Sequence, residues 1–564
     1  MYLGKMILGG VQLSNQECLL ETRCLSSLVK VFADEELEDS AIVGGTALLN
    51  EVYTFQVAYK TTERFSDGIT IRVESDISDV ITVREVGLVP SDFPMYENHD
   101  DNILRIEPGL FPDPLYPIGS EGIPARQNQW RSIWVTVKLN NNIKSDTYKI
   151  CIKFETVEAG TIAEENFHLE VIDESLPKSK LIQTNWFHTD CIATYYNIDV
   201  CSQEHWSLIK DFIETAVKHD INMILTPLFT PPLDTEIGEE RPTVQLVDIE
   251  IKDDTYHFNF DKLKRWVDMC DELGVQYFEF SHLYTQWGAK HAPKIMATKN
   301  KEYKQIFGWE TDSAGENYRN FLSLFLPELV HFIEENNLHD RVYFHVSDEP
   351  NLDNIESYQS ASNHMNKYLS KYPIIDALSD YEFYERGFVE KPIPATNHIE
   401  PFLENEVPDL WTYNCCAQYI DVSNRFFTFP SARNRIIGMQ FYKFNITGFL
   451  HWGYNFWYSQ LSKRSIDPFT VTDADQGFPS GDAFVVYPGE NGPIESLRLE
   501  VFYEALQDLR ALQLLESYIG REAVIELIEE DLSEPLTFRK YPRGNAWLLE
   551  KRELINRTIE KNVR

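Results

Sequence analysis

Two adjacent carboxylates and a proline, Asp348-Glu349-Pro350, close a run that reads Arg341-Val342-Tyr343-Phe344-His345-Val346-Ser347. The alternation of β-branched and aromatic residues predicts a strand there. A buried strand that delivers two acids to its C-terminal end can do acid/base chemistry. The same residues could instead cap a helix, with Ser347 or Asp348 as the cap and Pro350 near the first turn. Position favours chemistry: the motif ends the fourth strand of a strand–helix series, where barrel enzymes keep their reacting groups.

Glycoside hydrolysis needs an acid for the leaving oxygen, plus either a nucleophilic carboxylate or a base that activates water. The predicted seventh strand and its exit, residues 446–458, hold no carboxylate, and the next is Asp467. A conventional retaining barrel would place its nucleophile there. A 2-acetamido sugar supplies its own, because its amide oxygen can attack C1 and form an oxazolinium ion. The enzyme then needs one acid/base, assigned to Glu349, and one carboxylate that orients the acetamido group, assigned to Asp348. Repulsion between the two separates their pKa values, so that one stays protonated.

Aromatic residues at strand ends offer ring faces to a sugar and a box for an acetamido methyl. The candidates are Trp411 and Tyr413, then Trp452, Tyr454 and Trp457, with Tyr381 after the fifth strand and Trp287 in a loop after the third. His451 is a candidate for a sugar hydroxyl. His345, in mid-strand, reads as a satisfied interior histidine.

The elements that position these residues begin near residue 180. Strands are predicted at 181–187, 221–227, 275–280, 342–346, 374–378, 410–415, 446–452 and 483–487, with amphipathic segments between them. Eight strands with intervening helices imply an α/β fold with a (β/α)8 barrel catalytic domain over residues 180–515. Residues 1–175 alternate in short β-rich runs, as at 54–59, 69–73, 133–137, 148–154 and 167–171, which predicts an all-β sandwich domain. A strong amphipathic helix is expected over 497–515 and a terminal helix near 546–561, so residues 516–564 read as a C-terminal extension of packing helices. Two excursions stand out: an inserted hairpin at 244–260, and a lysine-rich loop at 284–315 that is either a solvated surface or a contact for a distant, acidic part of a substrate.

With 564 residues, the chain exceeds one ordinary core. A formal charge of −38 argues against nucleic-acid or anionic-membrane partners. The eight cysteines show no paired CxxC spacing, so no metal site is expected, and the adjacent Cys415-Cys416 reads as two strand residues facing opposite sides. Residues 1–11 lack the apolar core of a secretory signal and no run reaches transmembrane length, which gives a cytoplasmic expectation.

His345-Val346-Ser347-Asp348-Glu349-Pro350, the Trp411 strand and His451-Trp452-Gly453 together resemble glycoside hydrolase family 123. Gly481-Asp482-Ala483-Phe484-Val485-Val486-Tyr487-Pro488-Gly489 and Ser496-Leu497-Arg498-Leu499-Glu500 add to the resemblance, which covers roughly 180 to 515. It implies a β-N-acetylgalactosaminidase with an N-terminal β-sandwich and a (β/α)8 barrel. It also implies a retaining, substrate-assisted mechanism in which the family's adjacent Asp and Glu fall on Asp348 and Glu349, with no metal or organic cofactor. The expectation is therefore exo-acting release of terminal β-linked N-acetylgalactosamine from a glycan or glycoside. The alternatives are a β-N-acetylglucosaminidase, a conventional retaining glycosidase, and a non-catalytic glycan-binding protein.

Overall fold

The computed structural model describes residues 20–62, 68–350 and 352–563. Cys18 and residues 1–11, which were read for a leader, lie outside them.

The N-terminal region is sheet-rich. A five-stranded sheet runs in the order Glu21–Ser26, Val52–Lys60, Arg131–Lys138, Ile81–Ser91, Gly109–Pro117. A four-stranded sheet runs Gly44–Leu49, Gly160–Ser175, Thr147–Thr156, Thr70–Glu74. Phe55, Val57, Ile133 and Val135 of the first sheet share one buried cluster with Phe154, Phe167 and Leu169 of the second. Period-two alternation produces this arrangement, since each strand sends every other side chain to the shared side.

Eight parallel strands follow. They are β1 Ile182–Asn185, β2 Met223–Thr226, β3 Tyr277–Phe280, β4 Val342–Tyr343, β5 Ile375–Ala377, β6 Lys391–Ile393, β7 Trp411–Asn414 and β8 Gly448–His451. Among the helices between and after them are α1 Gln203–Lys218, α2 Asp261–Leu273, α3 Glu316–Glu335, α4 Ile355–Leu369, α5 Tyr381–Glu385, α6 Glu400–Glu404, α7 Ile437–Lys443 and α8 Leu497–Ile519. Strands β4, β3, β2, β1, β8 and β7 form one sheet in that order, and β5 and β6 form another. Parallel bridges between Phe344 and Ile374 and between Ala395 and Tyr413 link the two, so the pairings return to their start. Side chains alternate across the strands. Val342, Phe344 and Val346 pack outward in the cluster that holds Leu326 and Leu329 of α3. Tyr343 faces Trp411 within, with ring centroids 5.6 Å apart.

Seven of the expected strands are β1 to β5, β7 and β8. The eighth expectation, 483–487, fails: Val486–Gly489 pairs antiparallel with Gly492–Glu495, outside the ring of parallel strands. The strand that completes the set is β6, three residues with a central proline, too short and too weakly patterned to register as a strand. Trp411 and Tyr413 therefore stand on the seventh strand, and His451 and Trp452 belong to the end of the eighth. The substitution leaves the earlier chemical argument intact, because residues 411–416 also lack a carboxylate.

The inserted hairpin is present as Asp248–Lys252 and Thr255–Asn259. Asp253 and Asp254 turn it with φ of 48° and 56°, the left-handed pair that tight hairpins demand. The segment 284–315 is not an open loop. Its Ile295–Lys299 and Glu302–Phe307 extend the hairpin into a four-stranded sheet. Lys294, Lys299 and Lys304 pair with Glu240, Asp254 and Glu302, which offsets the local positive charge.

Helix α8 is not amphipathic in the expected way; it is buried on every side over most of its length. Its polar residues are bonded instead of solvated. Arg498 grips Asp113 of the N-terminal sheet at 2.9 Å. Arg84 of the same sheet reaches Glu500, and Arg435 bonds both Glu504 and Asp508. Two further helices, α9 Arg521–Glu529 and α10 Asn545–Val563, pack behind it. Among the described residues, no helix is long and apolar enough to cross a membrane.

Candidate active site

Strand β4 pairs with β3 through Tyr343 and bridges to Ile374 at Phe344, and the chain then turns at its C-terminal end. Glu349 makes that turn with φ of 43°, a left-handed conformation that costs a non-glycine residue about 1 kcal/mol. The turn is clamped from the loop after β3. The Trp287 N–H donates to the Asp348 carbonyl at 3.0 Å. Ser347 Oγ donates to the Thr285 carbonyl at 2.9 Å.

Asp348 and Glu349 open into a cavity of about 290 Å³. Tyr413, Trp452 and Trp287 line it as well. The Tyr413 hydroxyl donates to Glu349 Oε1 at 3.0 Å. Trp452 is oriented by its Nε1–H, which donates to Asp482 at 2.8 Å. Trp287 is 41% exposed and forms part of the rim.

The other five candidates do not line this cavity. Trp457 is buried, its Nε1–H donating to the Val486 carbonyl at 3.2 Å. Trp411 is buried within the ring of strands, against Gly448, where an added Cβ would come within 2.0 Å of its indole. Tyr381 packs on Phe402. Tyr454 is buried, its hydroxyl donating to the Phe212 carbonyl. His451 is fully buried beside Arg425, 3.6 Å from Asp482. On β7 the reason is depth: residues 411 and 413 share a strand face, and only the one nearer the C-terminal end reaches the mouth.

Several lining residues carried no sequence signal of their own. Trp186, just past β1, was within an expected strand but unassigned. Asp234 and Gln286 come from the loops after β2 and β3, and Cys415 and Cys416 from the exit of β7. The cysteines line one cavity, so the expectation that they face opposite sides is corrected: the strand ends at Asn414 and the pair sits in the turn that follows. One signal could have pointed to Trp186: it directly follows the end of β1 at Asn185, whereas Asp234 stands far out in the loop after β2.

A polar layer lies beneath the pair. Glu279 of β3 accepts from Trp186 Nε1 at 2.7 Å, from Thr184 Oγ1, and from His345 Nε2 at 2.6 Å. Asp376 of β5 accepts from the Val346 N–H at 3.1 Å and the Tyr358 hydroxyl at 2.5 Å. It also stands 3.4 Å from His345 Nδ1. Burial alone would lower the His345 pKa, but Asp376 and Glu279 raise it to about 9, so the ring is an imidazolium. His345 is thus an interior histidine, as expected, and a charged one. Through Glu279 it holds the Trp186 wall, and through Asp376 it holds the strand that presents the acids.

Burial, then the charge of Glu349, push Asp348 well above the ordinary carboxylate range, while the His345 cation pulls it back. Burial also raises Glu349, opposed by the Tyr413 hydrogen bond. Two raised neighbours share a proton more readily than they ionise together. In the free protein the stronger push falls on Asp348. Asp234 is raised to about 6 by burial, opposed by the Leu461 N–H that its carboxylate accepts at 2.9 Å.

His282, His345 and Asp376 lie close enough together to suggest a metal ion. The two imidazoles are stacked, however, with centroids 4.2 Å apart and planes 23° from parallel. An ion shared between them would lie off both ring planes, and His345 is already held between two carboxylates. In a second such group, Glu495 and Glu500 are bridged by Arg84. Neither donor set favours a metal over the ion pairs already present.

The family model for the glycoside hydrolase 123 catalytic domain matches residues 186–515. Among solved structures, a family 123 glycoside hydrolase from Clostridium perfringens is 15% identical, with a TM-score of 0.72 over 96% of this chain and 98% of that one. A β-glucuronidase from Parabacteroides merdae is 11% identical, with a TM-score of 0.31 over 86% of this chain and 51% of that one. An endo-β-1,4-mannanase from Thermotoga petrophila is also 11% identical, with a TM-score of 0.33 over 59% and 77% of the two chains. No curated protein matches by sequence. The catalytic-domain match spans more than half of the chain and includes Asp348, Glu349 and the strands that present them, and on that match the protein belongs to glycoside hydrolase family 123.

Proposed function

We propose that the protein is an exo-acting β-N-acetylhexosaminidase that releases terminal β-linked N-acetylgalactosamine with retention, by a substrate-assisted route. The observation that carries this reading is the adjacent pair Asp348 and Glu349 at the cavity, with no carboxylate in residues 411–416 at the end of β7 to act as nucleophile. The eight parallel strands with their helices are read as a (β/α)8 barrel over 180–515. The N-terminal sheets, over 1–175, are read as a supporting sandwich, and 516–564 as a helical extension.

In the first step the acetamido oxygen attacks C1 while Glu349 gives its proton to the leaving oxygen. The acetamide N–H is a donor, and the forming oxazolinium is cationic. Both favour ionised Asp348, which moves the shared proton onto Glu349 when substrate binds. In the second step water attacks C1 and returns a proton to Glu349. The acetamido oxygen attacks from the face opposite the leaving group, and water then attacks from the face opposite the oxazolinium oxygen, breaking its bond to C1; two inversions give retention. Tyr413 steadies Glu349, and Trp452 and Trp186 offer ring faces to the sugar. The Clostridium perfringens relative is described in connection with glycolipid glycan hydrolysis. A glycan headgroup ending in a β-linked 2-acetamido sugar is the substrate class proposed here.

Asp234 keeps one conventional reading in view, because it is a third carboxylate on the cavity. Its acceptance of the Leu461 N–H and its pKa near 6 suit a loop tie better than an ionised nucleophile. A panel of aryl β-GalNAc, β-GlcNAc and β-glucoside substrates, with an oxazoline-mimicking thiazoline, separates the readings. Selective cleavage of the acetamido sugars with thiazoline inhibition is expected. Equal cleavage of the glucoside without that inhibition, or azide rescue of Asp234→Gly to a glycosyl azide, would sink the substrate-assisted route. Binding of the sugar without any turnover would leave a glycan-binding protein.

A further inference from the structure

We propose that Cys415 and Cys416 form a dithiol site on the wall of this cavity, one that captures trivalent arsenicals and thereby closes the cavity to its sugar. Both thiols are free and half-buried, and both line the space shared with Glu349 and Trp452. Among the other described cysteines, Cys24, Cys151, Cys191 and Cys270 are buried, and Cys201 is half-buried with no adjacent thiol.

Gln418 and Asn424 tie down the Cys415 end of the turn that carries the pair. The Gln418 side chain accepts the Cys415 N–H at 2.8 Å, and the Gln418 N–H donates to the Cys415 carbonyl at 3.1 Å. Asn424 Nδ2 donates to the carbonyls of Cys415 at 3.0 Å and Gln418 at 2.8 Å. Little remains to be ordered when a ligand bridges the thiols. Contact with the Cys416 thiol and burial push Cys415 up, so it stays protonated at neutral pH. Simple alkylation needs a thiolate and is slow at such a group. An arsenoxide does not need one: each thiol forms an S–As bond, the As=O bond is lost, and the two thiol protons leave with its oxygen as one water. No oxidant takes part. After the first bond the second is intramolecular, which makes closure favourable.

The test is phenylarsine oxide on the full chain, read by intact mass, free-thiol count and hydrolysis of an aryl β-GalNAc. Only the hydrolysis arm rests on the proposed function. Equimolar reagent is expected to add one phenylarsenic group, consume two thiols and slow hydrolysis by more than about tenfold, because the effective concentration of the second thiol keeps nearly every chain occupied. Dithiothreitol should reverse this, and an equal excess of mercaptoethanol should not. Cys415→Ser and Cys416→Ser should each lose the stable adduct, with inhibition measured against each variant's own rate. The proposal is overturned if the wild-type chain takes no bridging adduct, or if the adduct persists in both variants. An adduct that leaves hydrolysis unchanged would overturn the closure of the cavity. If no hydrolysis occurs at all, the proposed function fails, and the mass and thiol count still decide the dithiol.

Discussion

At the scale of single residues, the pair Asp348 and Glu349 is costly to bury and useful for that reason. Glu349→Gln is expected to lower turnover of poor leaving groups by about 100-fold or more and of activated aryl leaving groups by less, since only the former need protonation. Asp348→Asn should slow oxazolinium formation for every leaving group. Both raised groups bind protons more tightly in the folded chain than in the unfolded one. Stability therefore falls as pH rises from the unfolded carboxylate pKa toward the folded one. Either amide variant should accordingly melt higher than wild type at neutral pH, by about 2 °C, and lose that advantage in acid below the usual carboxylate pKa. Scanning calorimetry at two pH values checks this; an unchanged difference across the range would remove the burial argument. Tyr413→Phe deletes the hydrogen bond that holds Glu349 down. With Glu349 as the acid, the basic limb of the kcat/KM profile should move to higher pH in that variant, and a shift downward would contradict the assignment.

At the scale of elements, β1, β3, β4 and β5 act together through one buried layer. His345→Asn leaves Glu279 and Asp376 without their shared cation, and a broken buried pair costs about 3 kcal/mol. Urea denaturation should report that loss, and kcat should fall as well, because Asp348 loses the charge that favours its ionised form. The β8 start makes a steric prediction. Gly448→Ala would drive a methyl into the Trp411 ring, so it should destabilise the chain by about 1–3 kcal/mol, with Trp fluorescence reporting the displaced ring. The expected eighth strand shows how an element can mislead. Residues 483–487 have the apolar run of a buried strand and are buried, but in a hairpin approach, while Lys391–Ile393 pairs with β5 despite a sequence that promises nothing.

At the scale of the whole molecule, α8 ties the N-terminal sheets to the strands that carry the site. Arg498→Met would leave Asp113 buried with, among the described residues, only the Tyr487 hydroxyl as its remaining side-chain donor, and should cost about 3–5 kcal/mol in denaturant unfolding. A variant as stable as wild type would show that this contact does not hold the two parts together. Much of the scaffold was legible in the chain itself. The strand rhythm of residues 181–452, the β-rich first third and the paired acids at a strand end follow from local periodicity, which each segment carries alone. The acids, Tyr413, Trp452 and Trp287 could be named from strand ends and loops. Which other aromatics face the cavity could not, because depth within a ring of strands depends on stagger between neighbours. For the same reason Trp186, Asp234 and the Cys415-Cys416 pair came to the cavity unannounced, from three different loops. Their side chains become neighbours only when the strands pair, and the charge on His345 exists only once β3 and β5 bring Glu279 and Asp376 to its two nitrogens.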